Sequence, residues 1–175
     1  GPTGAAPNKA VAGTATLNAN TGTAVAITTA TKLSGTAGAG SDNLTTASKF
    51  TATDTLVVNG KTISFNNGAG TTGTATGGDL SIDITTGTVG DILTAIGAVT
   101  GSAVANTITA GGAITLNTGT TSDLTLTGTG VAKLNLTAVA TSTRTAGTPP
   151  ALLGTTLTIG ATGGGTATSI VFGTA

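Results

Sequence analysis

The chain of 175 residues contains no Cys, Met, Trp, Tyr, His or Glu. Each absence removes a class of chemistry. Without His there is no imidazole to carry a proton near neutral pH, and no Ser–His–Asp triad can form. Without Cys there is no thiolate nucleophile, no soft metal ligand and no disulfide framework. Phe50, Phe65 and Phe172 are the only aromatic residues, so platforms for stacking bases or sugars are missing. Charge is equally sparse. Six Lys or Arg balance six Asp, for a net charge of zero, and the basic footprint of a nucleic-acid binder is absent. No stretch approaches the ~18 apolar residues of a membrane-spanning helix. The first residues lack the charged start and apolar run of a signal peptide. The chain is therefore expected to be no enzyme and to hold no cofactor and no metal, with neither nucleic acid nor membrane as partner.

What is present is 45 Thr and 29 Gly. Thr is β-branched and suits a pleated strand, while Gly supplies turns. Val, Ile and Leu recur between the Thr residues at ordered spacings, which a disordered chain does not need. The expectation is a mostly β fold, α+β in detail. Antiparallel hairpins and a sheet carry one short helix, and the segments group into two β-rich subdomains.

Residues 1–10 hold two of the four prolines and read as a flexible lead, with Gly1-Pro2 matching a tag remnant. Leu17, Val25 and Ile27 predict two short strands about a turn at residues 20–22. Residues 34–43 are a loop by composition. In Thr55-Leu-Val-Val-Asn-Gly-Lys-Thr-Ile-Ser-Phe65, Asn59-Gly60 separates two apolar runs and predicts a type I′ hairpin. That register puts Leu56, Val58, Ile63 and Phe65 on one face, with Leu56 opposite Ile63 and Val58 opposite Lys61. Residues 66–78 read as a loop. Leu80, Ile82 and Ile84 then alternate as a half-buried strand.

The period changes next. Val89, Ile92, Leu93, Ile96 and Val99 follow helical spacing and predict a helix over about 88–99. Thr88 is its cap, Asp91 lies in its first turn and Gly101 is its stop. Gly90 and Gly97 each weaken such a helix by roughly 1 kcal/mol relative to Ala, so it must lay its apolar stripe on the sheet. Beyond it, Ile108, Ala110, Ile114 and Leu116 share a face if their connecting loop is odd in length. Leu124 and Leu126 alternate, as do Leu134 and Leu136. Thr148-Pro149-Pro150 marks a boundary. After it, Thr156-Leu-Thr-Ile-Gly160 echoes Thr55-Leu-Val-Val-Asn59, and Ile170-Val-Phe172 echoes Ile63-Ser-Phe65.

The six Asp residues are the only acids. Asp79 and Asp83 fall on one strand face, where a hard-cation site would need more carboxylates than two; a solvated strand face is the expectation. Asp91 reads as a helix-end residue, and Asp42 and Asp123 as turn residues. The Gly-rich stretches 68–78 and 160–165 lack the Gly-Lys-[Ser/Thr] sequel of a phosphate loop. Gly77-Gly78-Asp79 lacks the period of a calcium-binding repeat. Asn43-Leu-Thr45 and Asn135-Leu-Thr137 match the N-glycosylation pattern. No residue is assigned a catalytic, cofactor-binding or metal role.

Four words stand in order: Asp54-Thr-Leu-Val-Val-Asn-Gly-Lys-Thr-Ile-Ser-Phe65, Thr88-Val-Gly-Asp-Ile-Leu-Thr-Ala-Ile96, Gly112-Ala-Ile-Thr-Leu-Asn-Thr118 and Ser122-Asp-Leu-Thr-Leu-Thr-Gly128. They resemble the repeated β-rich module in the surface-exposed outer domains of bacterial flagellins and hook-associated proteins. The resemblance spans about residues 50–138. The long terminal helices that drive assembly in that family have no counterpart here. What the resemblance implies is a variable outer domain on the flagellum or cell surface, extracellular and structural, adjoining neighbouring flagellin-type subunits through regions absent from this chain. The isolated chain would be a monomer, and surface Thr hydroxyls would offer acceptors for O-glycans. Such an insertion leaves and rejoins its core at nearby points. Residues 11–48 and 139–175 would then form a base subdomain, with 11–33 and 154–173 sharing a sheet and 49–138 inserted between. The alternative is a β-rich spacer module of a secreted adhesin or surface-layer protein.

Overall fold

A computed structural model describes residues 10–15, 17–19, 25–36, 38, 40–144, 155–160, 163 and 165–173. The fold is mostly β, with one helix of 12 residues. The lead expected at residues 1–10 lies outside the described residues except for Ala10, which opens strand β1 (Ala10–Ala15). β2 (Leu17–Ala19) and β3 (Val25–Ala26) pair antiparallel, Leu17 with Ala26 and Asn18 with Val25. These are the two short strands expected there; the turn between them lies outside the described residues. β4 (Asn43–Leu44) adds to the other edge of β2.

β5 (Thr55–Val58) and β6 (Lys61–Asn66) form the predicted hairpin, with Leu56 opposite Ile63 and Val58 opposite Lys61. Asn59 has φ 47° and Gly60 φ 79°, the two positive values that a type I′ turn requires. Leu56, Val58, Ile63 and Phe65 are all buried. Hydrogen bonds from further along the chain fix the tip. The Asn59 N–H donates to the Thr125 carbonyl at 2.9 Å, and Asn59 Oδ1 accepts from the Thr125 N–H at 2.8 Å.

β7 (Leu80–Asp83) pairs with β6 in parallel, Ile63 beside Leu80 through Asn66 beside Asp83. The connection needed by a parallel pair is the Gly- and Thr-rich loop 67–79. The chain then enters helix α1 (Val89–Thr100) through a capping box. Thr88 Oγ1 accepts from the Asp91 N–H at 3.3 Å, and the Asp91 carboxylate accepts from the Thr88 N–H at 2.9 Å. Gly101 closes the helix in the left-handed region. Val89, Ile92, Leu93 and Ile96 are buried as predicted. Burying each contributes about 1.5–3 kcal/mol, which outweighs the roughly 1 kcal/mol that Gly90 and Gly97 each cost.

Sequence periodicity did not reveal what meets the start of α1. The Val89 N–H donates to the Thr31 carbonyl and the Gly90 N–H to the Thr29 carbonyl, both at 2.9 Å. Two orphan donors of the first turn are thus satisfied by the segment that follows β3. Lys32 bridges Thr88, and the Phe50 N–H donates to the Leu33 carbonyl at 2.8 Å. Residues 27–50 are therefore built onto the helix and hairpin.

β8 (Thr107–Ile108) and β9 (Ala113–Asn117) pair through Ile108 and Ile114, across an odd-length loop as predicted. Ala110, expected on the apolar face, falls in that loop and is exposed. β10 (Leu124–Thr127) buries Leu124 and Leu126 and pairs with β5 on one side; on the other it pairs with β11 (Thr141–Ser142). The central sheet has the order β11-β10-β5-β6-β7. Between β10 and β11 lie a single helical turn, α2 (Gly130–Lys133), and a 3-10 turn at Thr137–Val139.

Two expectations are corrected. Leu134 and Leu136 are buried, but they are the residues that end α2 and precede the 3-10 turn rather than parts of a strand. Asn135 between them adopts φ 54°, which swings the chain so that both leucines reach the core. The sheet expected between residues 11–33 and 154–173 does not form among the described residues. β1 instead pairs with β9, Ala10 opposite Asn117 and Val11 opposite Leu116. Among the described residues, β12 (Thr156–Ile159) and β13 (Thr168–Val171) pair only with each other. The chain ends, expected to lie close together, fall outside the described residues. One continuous core runs from Ile27 to Val139, gathering Leu33, Leu44 and Phe50 with the hairpin, helix and β9–β10 side chains.

Candidate functional site

The carboxylates are the only acids the chain offers, and each of the six has a place in the fold. Asp91 closes the capping box of α1. Asp42 accepts from the Thr31 hydroxyl at 2.7 Å, steadying the segment that caps the helix. Asp79 accepts from the Thr74 N–H at 3.1 Å. Asp123 accepts from the Arg144 backbone N–H at 2.8 Å, and the Arg144 guanidinium also reaches the Thr120 carbonyl.

Asp54 is the most enclosed ion pair. Its Oδ2 accepts from Lys133 Nζ at 2.5 Å, from the Thr51 N–H at 2.7 Å and from the Thr51 hydroxyl at 3.1 Å. Lys133 Nζ donates also to the Lys49 carbonyl at 2.7 Å and sits 5.7 Å from the Phe50 ring centroid. Burial alone would push the Asp54 carboxyl up. Hydrogen bonds from Lys133, Thr129 and Thr51, joined by the Lys133 charge, outweigh that and hold it below its ordinary value. The pair fastens α2 to the turn preceding β5. Phe50 meets Phe65 at 4.7 Å between ring centroids, tilted by 50°.

Asp83 organises the loop 66–71. Its Oδ1 accepts from the Thr85 hydroxyl at 2.7 Å and from the N–H groups of Thr85 and Gly68 at 2.9 Å. Its Oδ2 accepts from the Gly70 N–H at 2.9 Å. The Thr85 hydroxyl and amide, with the Gly68 and Gly70 amides, hold the carboxyl at about 2, against an ordinary 3.8. Hydrogen bonding to the charged form does this. Of the solvated face expected to carry Asp79 and Asp83, Asp79 is exposed, just before β7, whereas Asp83 is corrected: the loop folds over it and it is buried. Within the Gly-rich stretch 68–78, the amides of Gly68, Gly70 and Thr74 are turned onto the chain's own carboxylates.

Among the described residues, no group of three or more His, Cys, Asp or Glu gathers as a metal cluster would. Grooves flank α1 on both sides, and the carboxylate of Asp91 is the only one on either rim. A third depression brings Lys32 beside Asp42. None combines two carboxylates. No protein-family model matches the chain, and neither a curated protein nor a solved structure does. Of the two N-glycosylation patterns, Asn43 is buried, with its amide nitrogen 3.3 Å from the Leu44 carbonyl, while Asn135 is half-buried. The Gly-rich stretch 160–165 falls partly outside the described residues. The site that sequence reasoning missed is structural, the Asp83 cradle. Its only local signal is Asp two residues before Thr, a pairing suited to an Asx turn.

Proposed function

We propose that the chain is a structural, non-catalytic outer surface domain of a bacterial flagellar filament or hook-associated protein. The observation that carries the reading is the deployment of the acids. All six carboxylates are engaged in caps, loop cradles or ion pairs. Chemistry on a bound substrate would call for a carboxylate released from such duties. The resemblance adds support, because its words fall on the β5–β6 hairpin, α1, β9 and β10 in chain order. In this role the Thr- and Gly-rich surface, with few charges, limits non-specific adhesion, and the Ile, Leu and Val core supplies cohesion. Neighbouring subunits would be met through regions outside this chain, and exposed Thr hydroxyls would be the sites for O-linked sugars.

Immunogold labelling of source cells with antibodies raised against the purified chain tests this. Gold along flagellar filaments or at the hook junction is the expected result. Gold spread over the cell envelope would assign the chain to an adhesin or surface-layer spacer instead. Gold confined to the cytoplasm would refute both.

A further inference from the structure

Asn is followed by Gly at two places in the chain, 59–60 and 67–68. That dipeptide is chemically fragile. The glycine nitrogen can attack the Asn side-chain carbonyl carbon, and with no Cβ beside it nothing crowds the approach. The reaction needs the carboxamide free to swing over the following peptide nitrogen, to about 3–3.5 Å between the reacting atoms. The fold treats the two carboxamides differently.

Asn59 is half-buried at the hairpin tip. Its Oδ1 accepts from the Thr125 N–H at 2.8 Å and lies 3.4 Å from the Thr125 hydroxyl, while its own N–H donates to the Thr125 carbonyl. The side chain is thus tied to β10, and cyclisation would first have to break that tie. Asn67 is exposed, and among the described residues its carboxamide makes no hydrogen bond. Its neighbour Asn66 is fully engaged, with Oδ1 accepting from the Ala69 N–H and Nδ2 donating to the Gly70 carbonyl and the Ser81 hydroxyl. Gly68, at φ 94°, faces open space. Its N–H donates to Asp83 Oδ1 at 2.9 Å. That bond lies in the peptide plane and leaves the face of the nitrogen from which the Asn67 carbon would approach.

We propose that Asn67 is a self-modification site, where the exposed Asn67–Gly68 dipeptide cyclises and reopens as isoaspartate or aspartate while the same dipeptide at 59–60 is kept intact by β10. The Gly68 nitrogen bonds to Asn67 Cγ and gives up its proton to a base in solution. The Asn67 side-chain nitrogen takes up a proton and leaves as ammonia, and a cyclic imide remains. Water then opens the imide at either carbonyl, so the sum is one water consumed and one ammonia released. Either product adds a negative charge to a chain whose net charge is zero. Isoaspartate also lengthens the main chain next to Gly68, which draws that amide off the Asp83 carboxylate and loosens the loop 66–71.

The test holds the folded protein in warm, mildly alkaline buffer over days. Anion exchange follows the acidic species, and peptide mapping with electron-transfer fragmentation assigns the site and separates isoaspartate from aspartate. Conversion at Asn67 at least about tenfold faster than at Asn59 is expected, a ratio on the scale of the one hydrogen bond that Asn59 must break. In urea the two sites should convert at similar rates, because both then have only the following glycine to set them. Asn67→Ser should abolish the early acidic species and leave the melting temperature unchanged. Equal rates in the folded protein, or faster conversion at Asn59, would overturn the proposal. So would conversion of both sites in urea and of neither in the folded chain, which would mean that Asp83 shields Gly68. An acidic species undiminished in Asn67→Ser would likewise overturn it.

Discussion

Replacing Gly97 with Ala and replacing Gly90 with Ala should shift stability in opposite directions, although both lie in α1. A Cβ at position 97 would meet nothing nearer than Asn106 Nδ2 at 3.5 Å, an ordinary contact. Gly97→Ala should therefore realise the helix-propensity gain of about 0.5–1 kcal/mol. A Cβ at position 90 would lie 2.7 Å from the Thr29 carbonyl oxygen and 3.1 Å from its Cβ. The same gain of about 1 kcal/mol then opposes about 1–3 kcal/mol of overpacking and about 1 kcal/mol for the weakened Gly90–Thr29 hydrogen bond. A net loss of about 1–3 kcal/mol is the expected sum. Urea denaturation followed by far-UV circular dichroism resolves both. With a slope of about 2 kcal/mol per molar, Gly97→Ala should raise the midpoint by about 0.25–0.5 M, and Gly90→Ala should lower it. Midpoints that move the same way in both variants would refute the seating of the helix start against residues 29–31.

Ile92→Asp should destabilise the protein by about 2–5 kcal/mol, because a fully buried anchor becomes an unpaired charge; an unchanged melting temperature would deny the docking of α1. Gly60→Val should cost about 1–2 kcal/mol from backbone strain alone, since a Cβ there meets open space, and Gly60→Asn should cost clearly less. Equal losses in the two variants would count against the type I′ turn. The Asp83 carboxyl is held at about 2 in the folded protein, below its unfolded value of about 3.9. Its contribution to stability is thus complete above pH about 4 and disappears as pH falls towards about 2. Asp54 acts in the same sense. Asp83→Asn should therefore be less stable than the parent at pH 7 and lose less stability on acidification. Parallel acid limbs in urea titrations would contradict the cradle.

Local signals in the sequence led to local structure. Asn59-Gly60 between apolar runs sets both the turn and the register, because only one register sorts Leu56 and Ile63 from Thr55 and Thr62. Thr88, Asp91 and Gly101 bound α1 because they satisfy its own backbone ends. Long-range choices left no such mark. Nothing in the Thr- and Ala-rich run 10–15 favours β9 over another edge, and nothing in 80–83 announces a parallel neighbour. The carboxylates were legible only as far as their immediate neighbours. Asp91 was recognisable, since its partner lies three residues away. Asp83 was not, since the Gly68 and Gly70 amides that hold it lie 15 and 13 residues back. Gly90 read as a weakness of the helix, because the Thr29 carbonyl that requires it belongs to another part of the chain.

The pairing of β1 with β9 imposes an order in time. Ala10 has to await Asn117, so at about 5–20 residues per second a ribosome exposes the first strand roughly 5–20 s before its partner is made. Through that interval the nascent segment Ala-Val-Ala-Gly-Thr-Ala is an orphan edge. It is thinly furnished with large apolar groups, unlike the short hydrophobic windows that seed fibrils. The strand that waits longest among the described ones is thus among those least able to find a wrong companion, and its docking is a late, long-loop step of the kind that slows β-rich domains.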